Sequence, residues 1–345
     1  MTRQTSDRRR KHTASDVAIV VPVGGGGQGW RQCARALAAL DPRPGQLVVV
    51  VDGPNQALEA IGRKLGATVL VLDERGGPAR ARNRAVAAVE LDVIAFVDAD
   101  VVVPSDFASR IAELFDNDTT TAVIGSYDDE PGDPGFFSQY RNLLHHWVHQ
   151  QGRAVASTFW SGCGAVRRSA FLEVGGFNEG FGEPSIEDIE FGGRLIEAGH
   201  TILLVKNLQV KHLKRWTLGT MVATDLFRRA IPWTEVMLDH GGLINDLNVK
   251  TTDRLSVAAA FLLPICVVAS FFQPWVLTIA SVPLLTIVLL NRGFFSLLAR
   301  RRSFGFAIAA IPAYWVYLVI CGLGFVIGVT SHLFQRLRRT RGHPD

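Results

Sequence analysis

The C-terminal third of the chain is almost free of charge, and this feature divides the sequence into two parts. Between residues 255 and 334 the only Asp, Glu, Lys or Arg side chains are Arg292 and the arginines at 300–302. A helix needs about 20 consecutive apolar residues to cross a bilayer. The first 250 residues have the mixed composition of a water-exposed domain. The sequence therefore predicts a globular domain followed by membrane-embedded helices.

Three apolar blocks make up the C-terminal part. Residues 255–272 and 275–290 are separated by Gln273-Pro274 and predict a transmembrane hairpin, because each run is close to the minimum length of a span. Residues 304–334 are too long for one upright helix and too short for two. Basic residues flank all three blocks, and the positive-inside rule places such residues in the cytosol. We therefore expect the third block to fold back near residues 321–324, with one long tilted span as the alternative.

The segment before these blocks, residues 218–237, has apolar residues at helical spacing with Arg228 and Arg229 among them. This pattern predicts a helix that lies in the membrane interface. A helix packed on the globular domain is the alternative, because amphipathicity alone does not separate the two.

Charge and cysteine usage exclude several classes of protein. The net charge is only +4, and the basic residues cluster beside apolar segments, which favours anionic lipid headgroups over nucleic acid as partners. The four cysteines form no C-x-x-C pair. This argues against a disulfide framework or a zinc site and is typical of a reducing compartment. No apolar stretch follows the basic start, so we expect no secretory signal peptide.

Strand-like and helix-like segments alternate through the first part of the chain. The strand-like runs are residues 17–23, 47–51, 68–72 and 93–97, and helical patterns between them cover residues 30–40, a stretch ending near residue 65, and residues 78–89. This alternation predicts an α/β domain with a parallel, doubly wound sheet.

The fourth strand leads into two acidic residues, Asp98 and Asp100. Ligands bind at the carboxyl ends of strands in open α/β sheets, and residues i and i+2 of an extended chain point the same way. Asp98 and Asp100 can therefore address one hard cation, such as Mg²⁺ or Mn²⁺ bound to phosphate oxygens. A solvated Asp-x-Asp turn is the alternative, because short acidic motifs often occur without function.

A glycine-rich turn follows the first strand. Gly24, Gly26 and Gly29 match the G-x-G-x-x-G spacing, and Asp52 follows the second strand where a ribose-binding acid would lie. Locally these residues predict a dinucleotide site and hence a nicotinamide-dependent oxidoreductase. A flexible loop near the base or ribose of another nucleotide is the alternative interpretation.

Later motifs favour that second interpretation. Residues 76–83 place a glycine turn and two arginines at a helix N-terminus, which suits an anionic ligand. The chain carries further motifs before and after this segment. In chain order they are Val51-Asp52-Gly53, Asp98-Ala99-Asp100, residues 166–171, Gly175-Gly176-Phe177, Glu187-Asp188, His212 and Arg215-Trp216. Together they resemble family 2 glycosyltransferases of the GT-A fold, in the membrane-associated branch. The resemblance spans residues 17–216, whereas the dinucleotide interpretation explains only the first two motifs.

The resemblance implies roles in donor and metal binding. Asp52 would bind the nucleotide base or ribose with Arg82 nearby, and Asp98 would contact the nucleotide-sugar. Asp100 would hold a divalent cation, Mn²⁺ or Mg²⁺, against the diphosphate, with His212 as a further metal ligand. A metal would neutralise the charge of the leaving diphosphate.

The resemblance also implies a base and an acceptor side. Asp188 would be the general base that takes the proton of the acceptor hydroxyl as it attacks the anomeric carbon with inversion. Glu187, Arg215 and Trp216 would line the acceptor side or brace the diphosphate.

The expected reaction moves one sugar from a UDP- or GDP-sugar to a lipid or lipid-linked acceptor, because an active site held at a membrane meets lipid headgroups first. Processive polysaccharide synthases typically have a glutamine before this arginine-tryptophan pair. No glutamine precedes Arg215-Trp216 in this chain, so a processive synthase is disfavoured. A catalytically inactive membrane scaffold is a further alternative. The glycine run at residues 24–27 and Val-Asp-Gly-Pro at residues 51–54 depart from the family pattern and leave the nucleotide open.

Two other features are better explained by structural roles than by metal binding or catalysis. His145, His146 and His149 lie on a predicted helix without an acidic third ligand, so an acceptor-facing or membrane-facing surface is favoured over a zinc site. Cys163 lies between glycines, and we expect it to serve tight packing rather than nucleophilic catalysis.

The sequence thus predicts five regions. They are a disordered basic tail (1–16), a GT-A catalytic domain (17–216), an interfacial helical region (217–250), a transmembrane region (251–335) and a basic cytosolic tail (336–345). We expect a multi-pass protein of the inner, cytoplasmic membrane whose catalytic domain faces the cytosol.

Overall fold

The computed structural model describes residues 11–25, 27–117, 119–239 and 250–341, with side chains up to residue 338. The chain forms two compact units. The first comprises Met1–Ser126 and Ala154–Leu213, and the second comprises Tyr127–Arg153 and Lys214–Asp345.

The described residues form nine strands and thirteen α-helices. The strands are β1 (Val17–Val23), β2 (Gln46–Val51), β3 (Thr68–Val71), β4 (Val93–Val97), β5 (Val101–Val102), β6 (Ala122–Tyr127), β7 (Val155–Ala156), β8 (Cys163–Arg167) and β9 (Ile202–His212). The helices are α1 (Gly27–Ala38), α2 (Gln56–Lys64), α3 (Gly77–Val86), α4 (Phe107–Leu114), α5 (Phe136–Gln151), α6 (Arg168–Glu173), α7 (Glu187–Glu197), α8 (Leu218–Asp225), α9 (Ile231–Asp239), α10 (Thr251–Ser270), α11 (Val276–Leu290), α12 (Arg292–Arg301) and α13 (Phe304–Arg341).

The sheet of the first unit has the order β3-β2-β1-β4-β8-β6-β9-β5, with β7 also paired to β9. Strands β1 to β4 pair in parallel, as predicted. The sheet also contains β8, which was not predicted and runs antiparallel to both β4 and β6. Strand–helix alternation fixes direction only where a helix carries the chain directly back to a neighbouring strand. That regular repeat ends at β4, so the sequence pattern carried no information about β8.

Five phenylalanines lie in the buried core on one side of this sheet. Phe96 of β4 contacts Phe177 edge to face at 5.3 Å between ring centroids, and Phe177 contacts Phe191 of α7 at 4.6 Å. Phe159 and Phe171 complete the buried cluster. Aromatic pairs of this kind add stabilisation beyond the burial of their area. The cluster links β4 to α7 within the first unit.

The second unit is helical and includes α5. Tyr140 of α5 packs on Phe294 at 6.0 Å between centroids, and Phe136 packs on Phe306 at 4.9 Å. These contacts explain why residues 127–153 belong to the helical unit, although the sequence placed them within a single catalytic region, 17–216.

Helices α10 and α11 form the predicted hairpin, whereas α13 is one continuous helix. The expected fold-back near residues 321–324 is therefore wrong. A Cβ on Gly322 would lie 2.3 Å from Phe261, and a Cβ on Gly324 would lie 2.3 Å from the Cβ of Ala230. These glycines permit close helix contacts instead of a turn, as small residues commonly do between membrane helices.

Two helices of the described residues are long and apolar enough to cross a membrane, Thr251–Ser270 and Phe304–Arg338. The pair Val276–Leu290 and Arg292–Arg301, bent by 67°, adds a third if it forms one span.

The segment predicted as an interfacial helix is helical, with a π-helical turn at Leu226–Ala230 between α8 and α9. Pro232 has no amide hydrogen to donate to the carbonyl of Arg228, which accounts for the wider turn. Residues 240–249 of this region lie outside the described residues, and its membrane position stays a prediction.

The predicted terminal tails are partly structured. Residues 1–10 lie outside the described residues, but Ala14–Asp16 forms a 3-10 turn within the region 1–16 that was predicted to be disordered. The amide of His12 donates to Asp116 and fixes this stretch. Helix α13 extends into the predicted tail as far as Arg341.

Candidate active site

The two acidic residues after β4 lie in a turn and not on extended backbone. The Val101 amide donates to the Asp98 carbonyl at 3.1 Å, which closes a turn over residues 98–101. The expectation of an extended backbone at Asp98 and Asp100 is therefore wrong. The two carboxylates have different partners, Arg82 for Asp98 and His212 for Asp100.

Arg82 connects three elements of the first unit. It is 3% exposed, and its guanidinium donates from Nη2 to Asp98 Oδ1 at 2.8 Å and from Nη1 to Glu187 Oε1 at 2.9 Å. The ring of Phe177 lies 5.4 Å from the guanidinium. Burial disfavours the charged form of Arg82, but Asp98 and Glu187 outweigh burial and raise its pKa. Arg82 thus fixes the end of β4 to the start of α7.

Glu187 is fully engaged within this cluster. Its second oxygen accepts a hydrogen bond from the Ser185 amide at 2.8 Å, and the residue is 4% exposed. These contacts position Arg82 and leave Glu187 beside the residues predicted to bind the nucleotide-sugar. The predicted acceptor-side contact of Glu187 has no support in this geometry.

Asp188 is the second residue of α7 and is tethered from another loop. Its Oδ2 accepts from the backbone amide of Ser161 at 3.0 Å and from the Ser161 hydroxyl at 3.1 Å. Burial raises the pKa of Asp188 to about 6, and the charge of Glu187 acts in the same direction, while the Ser161 amide and Arg82 oppose the shift. A carboxylate with a pKa near 6 is ionised at neutral pH and basic enough to accept a proton.

Asp100 and His212 face each other because β5 pairs with β9. Val101 lies opposite His212 in this pairing, and the Leu213 amide donates to the Asp100 carbonyl at 2.9 Å. His212 Nε2 lies 3.6 Å from Asp100 Oδ2, and His212 is 7% exposed. No group of three His, Cys, Asp or Glu side chains within the described residues could hold a metal ion. A carboxylate and an imidazole nevertheless form a donor pair that suits Mn²⁺ or Mg²⁺ when ligand oxygens supply the remaining positions.

Asp52 binds backbone at the start of α3. Its two carboxylate oxygens accept from the amides of Gly76 at 2.7 Å and Gly77 at 3.1 Å. Gly77 has φ +82°, and a Cβ there would lie 2.5 Å from the Gly182 carbonyl oxygen, so only glycine fits this turn. Asp52 therefore shapes the loop before α3. The predicted contact of Asp52 with a nucleotide base or ribose stays untested.

Arg215 and Trp216 belong to the second unit. Arg215 is exposed, whereas Trp216 is buried in the helical core with the Lys214 ammonium 4.2 Å from its ring. The Trp216 amide donates to the Ser138 hydroxyl at 2.8 Å. These contacts give Trp216 a packing role, and the predicted acceptor contacts of both residues stay untested.

Ser161 is a candidate site residue that the sequence motifs did not predict. It lies in the segment Trp160-Ser161-Gly162-Cys163-Gly164, two residues before Cys163. Burial raises the pKa of the Cys163 thiol to about 12, which removes it as a nucleophile and agrees with the predicted packing role. The expected surface position of the helix histidines is wrong for two of them, because His146 and His149 are buried. His146 Nδ1 lies 2.7 Å from the Tyr127 carbonyl oxygen, and the ring centroids of His145 and His149 lie 4.3 Å apart with the planes tilted by 46°.

Comparison with known proteins supports the predicted resemblance. Residues 18–175 match the family described as glycosyl transferase family 2, and residues 143–216 match one described as N-terminal domain of galactosyltransferase. The resemblance to family 2 glycosyltransferases is thus confirmed over residues 18–175. The predicted α/β fold of GT-A type followed by C-terminal helices is confirmed.

Individual relatives are distant. A pre-mycofactocin glycosyltransferase of Mycobacterium tuberculosis is 26% identical over 271 residues, 76% of this chain and 52% of the relative, so the chain spans about half the length of that protein. The O-antigen chain rhamnosyltransferase WbaN of Salmonella anatum is 25% identical over 243 residues, 65% of this chain and 75% of the relative. Among solved structures, a mannosyltransferase from Pyrobaculum calidifontis in complex with GDP-Man and Mn²⁺ has a TM-score of 0.51 at 15% identity, covering 94% of this chain and 89% of that one.

Proposed function

We propose that the protein is an inverting glycosyltransferase that moves one sugar from a UDP- or GDP-sugar to a lipid or lipid-linked acceptor at the cytosolic face of a membrane. The family match and the names of its relatives support sugar transfer. The P. calidifontis structure with GDP-Man supports a nucleotide-sugar donor. The two helices of membrane-spanning length and the O-antigen relative support a membrane-bound acceptor.

The observation that carries the proposal is the cluster of Arg82, Asp98, Glu187 and Asp188. One buried arginine links the strand end to the helix start that bears the tethered carboxylate of Asp188. The carboxylate of Asp188 is held by two hydrogen bonds, and the guanidinium of Arg82 is held by two carboxylates. Groups that are already oriented cost no reorganisation when substrate arrives. This arrangement also favours an enzyme over a catalytically inactive scaffold.

In the proposed reaction Asp188 accepts the proton of the acceptor hydroxyl. The hydroxyl oxygen forms the new bond to the anomeric carbon, and the bond from that carbon to the diphosphate oxygen breaks on the opposite face, so the configuration inverts. Asp188 then loses its proton to water. Ser161 orients the base, and its amide favours the ionised form.

The cation belongs to the same proposal. Asp100 and His212 are the residues that would hold Mn²⁺ or Mg²⁺. When bound, the cation would neutralise negative charge on the leaving diphosphate.

The dinucleotide alternative has less support, because the family match covers residues well beyond the glycine-rich turn. The contacts of Asp52 with the loop before α3 are the same in both interpretations. Gly26, the central glycine of the motif, lies outside the described residues.

The test is the Asp188→Asn variant of the full chain in an assay of nucleoside diphosphate release from UDP- and GDP-sugars. We expect turnover to fall by about 10²–10⁴-fold, with donor binding retained because asparagine keeps an oxygen for the Ser161 amide. The matched control is Asp92→Asn, which changes a half-exposed carboxylate paired with Arg167 and should leave turnover unchanged. Unchanged turnover in Asp188→Asn would show that another group is the base.

A further inference from the structure

Helix α13 has two different faces along most of its length. Buried residues such as Ala310, Tyr317 and Gly324 recur at helical spacing and form the face that packs on other helices of the second unit. Most of the exposed large apolar side chains lie on the opposite face. We refer to this set as the α13 stripe: Phe304, Ile308, Leu323, Val326, Leu333, Phe334 and Leu337. An exposed apolar surface of this extent marks an interaction site.

The α13 stripe is too long for a helix that crosses a membrane in the usual way. From Phe304 to Leu337 the helix rises about 50 Å at about 1.5 Å per residue, whereas the hydrocarbon core of a bilayer is about 30 Å thick. To keep the whole stripe in the core, α13 would have to tilt by about 50° or more, and spanning helices tilt by about 20° on average and at most about 40°. The length of the stripe therefore favours a helix that lies along the membrane.

The helices packed on α13 carry charged residues beside its middle and its end. The guanidinium of Arg141, paired with Asp225, lies 5.9 Å from the ring of Tyr317. Near the end of α13, His332 Nδ1 lies 3.4 Å from Oδ1 of Asp239, a mostly exposed residue of α9. A crossing α13 would place Tyr317 near the centre of the bilayer, with an ion pair beside it. Charged groups are costly at that depth, so these contacts favour the membrane surface.

Helix α13 crosses the α10–α11 hairpin at the base of the hairpin. The indole Nε1 of Trp315 donates to the Ala260 carbonyl at 2.9 Å, and a Cβ on Gly322 would lie 2.3 Å from Phe261. The two α13 residues are two helical turns apart, but their partners are consecutive on α10, so the helices do not run side by side. The hairpin residues that join the core of the second unit all lie at this base: Val257, Ala259, Ala260, Ile287 and Val288.

The tip of the hairpin is at the opposite end from this core. Phe271, Phe272 and Trp275 at the tip are among the most exposed large apolar side chains of the chain. A hairpin that enters a membrane tip first therefore places α13 across its base, along the plane of the membrane.

We propose that α13 lies in the membrane interface with the α13 stripe against the acyl chains, and that only the α10–α11 hairpin inserts deeply. The hairpin returns the chain to the side from which it entered. Arg300, before α13, and Arg338, in its last turns, then both lie on the cytosolic side. This arrangement satisfies the positive-inside rule with α13 as one continuous helix. The proposal concerns contact with the membrane and does not depend on sugar transfer.

Cysteine labelling of the full chain in a bacterial membrane tests the position of the two ends of α13. Arg300→Cys and Arg338→Cys each change an exposed residue. A membrane-impermeant maleimide is added to intact spheroplasts or to inside-out vesicles. The unaltered protein, whose described cysteines are buried or half-buried, gives the background. We expect both variants to be labelled above background in inside-out vesicles and neither in spheroplasts. Labelling of either position in spheroplasts would overturn the proposal.

Fluorescence quenching in vesicles of phosphatidylcholine and phosphatidylglycerol tests the depth of the α13 stripe. An environment-sensitive label is attached to Ile308→Cys, Leu323→Cys or Leu337→Cys of the full chain, and the lipids carry a quencher near the head group or near the end of the acyl chain. We expect the shallow quencher to act more strongly than the deep one at all three positions, because a helix in the plane keeps one depth.

Two control positions calibrate the depth measurement. Phe272→Cys at the hairpin tip should be quenched more strongly by the deep quencher, and Arg63→Cys, on an exposed side chain of α2, by neither. Stronger deep quenching at Leu323 than at Ile308 and Leu337 would show that α13 crosses the membrane. Absence of quenching at all three stripe positions would show that protein, such as a second copy of the chain, covers the stripe, and would equally contradict the proposal.

Discussion

The two units of this protein each bury an arginine, and they use it differently. In the first unit Arg82 bonds to two carboxylates, Asp98 and Glu187. In the second unit Arg141 bonds to one oxygen of Asp225, and the other oxygen has no partner among the described residues. Paired charges fix a geometry, whereas a buried carboxylate with one unsatisfied oxygen costs free energy.

Glycines show the same difference. Gly77 of the first unit has φ +82°, which the turn before α3 requires. Gly324 of the second unit lies within a helix and allows contact with Ala230. The first unit thus uses glycine to shape a binding loop, and the second uses it to bring helices together.

The largest expected effect comes from removing the buried arginine of the first unit. Arg82→Ala leaves Asp98 and Glu187 without their counter-charge, and breaking a buried pair costs about 3–5 kcal/mol. We expect the free energy of unfolding measured in denaturant to fall by about this amount and turnover to be lost.

The matched control is Arg80→Ala, two residues earlier on α3. Arg80 pairs with Glu74 at 3.4 Å, and both side chains are exposed. Exposed pairs contribute less than about 1 kcal/mol. Equal losses in the two variants would show that the buried cluster does not stabilise the first unit.

The second effect concerns the cation. Asp100→Asn removes a charged ligand from the proposed metal pair, and a metal contributes several kcal/mol to stabilising a leaving group. We expect nucleoside diphosphate release to fall by about 100-fold or more and the Mn²⁺ concentration for half-maximal rate to rise. His212→Ala should shift the Mn²⁺ requirement in the same direction. A rate that is independent of chelator would contradict both assignments.

The third effect lies in the second unit. Gly324→Ala places a Cβ 2.3 Å from that of Ala230, and overpacking of this kind costs about 1–3 kcal/mol. The melting temperature in detergent should fall. Gly305→Ala is the control on the same helix, because its Cβ would meet only Ser303 Oγ, at 3.9 Å. If Gly324→Ala melts like Gly305→Ala, the close contact of α13 with Ala230 does not form.

The smallest effect is a shift in pH dependence. Because the pKa of Asp188 is raised to about 6, the base is ionised above that pH and protonated below it. We expect kcat/KM to fall about tenfold between pH 7 and pH 5. Ser161→Ala removes one hydrogen bond to the carboxylate, so the acid limb of the profile should move to higher pH. A profile that Ser161→Ala leaves in place would show that this hydroxyl does not tune the base.

Local patterns predicted the elements but not their long-range partners. The apolar run at residues 93–97 is β4, and Val17–Val23 matches its prediction residue for residue. The antiparallel position of β8 depends on contacts between residues far apart in sequence, which periodicity does not report. The continuity of α13 was missed for a similar reason, since Gly322 and Gly324 signal a turn until the helices packed against them are known.

The same distinction applies to the site. Family motifs named Arg82, Asp98 and Asp188, and the structure brings the first two into contact and tethers the third. The motifs did not show that Arg82 bonds to Glu187, 105 residues away, or that Ser161 holds Asp188 across 27 residues. Motif order gives the identities of such residues, whereas their hydrogen bonds depend on the folded backbone.

The most direct test of the account is nucleoside diphosphate release by the purified full chain from a panel of UDP- and GDP-sugars. The assay is run with and without Mn²⁺ or Mg²⁺ and with and without a membrane lipid extract. We predict release from one donor that requires the metal and is stimulated by the lipid extract. Binding of NAD with no release from any nucleotide-sugar would contradict the account.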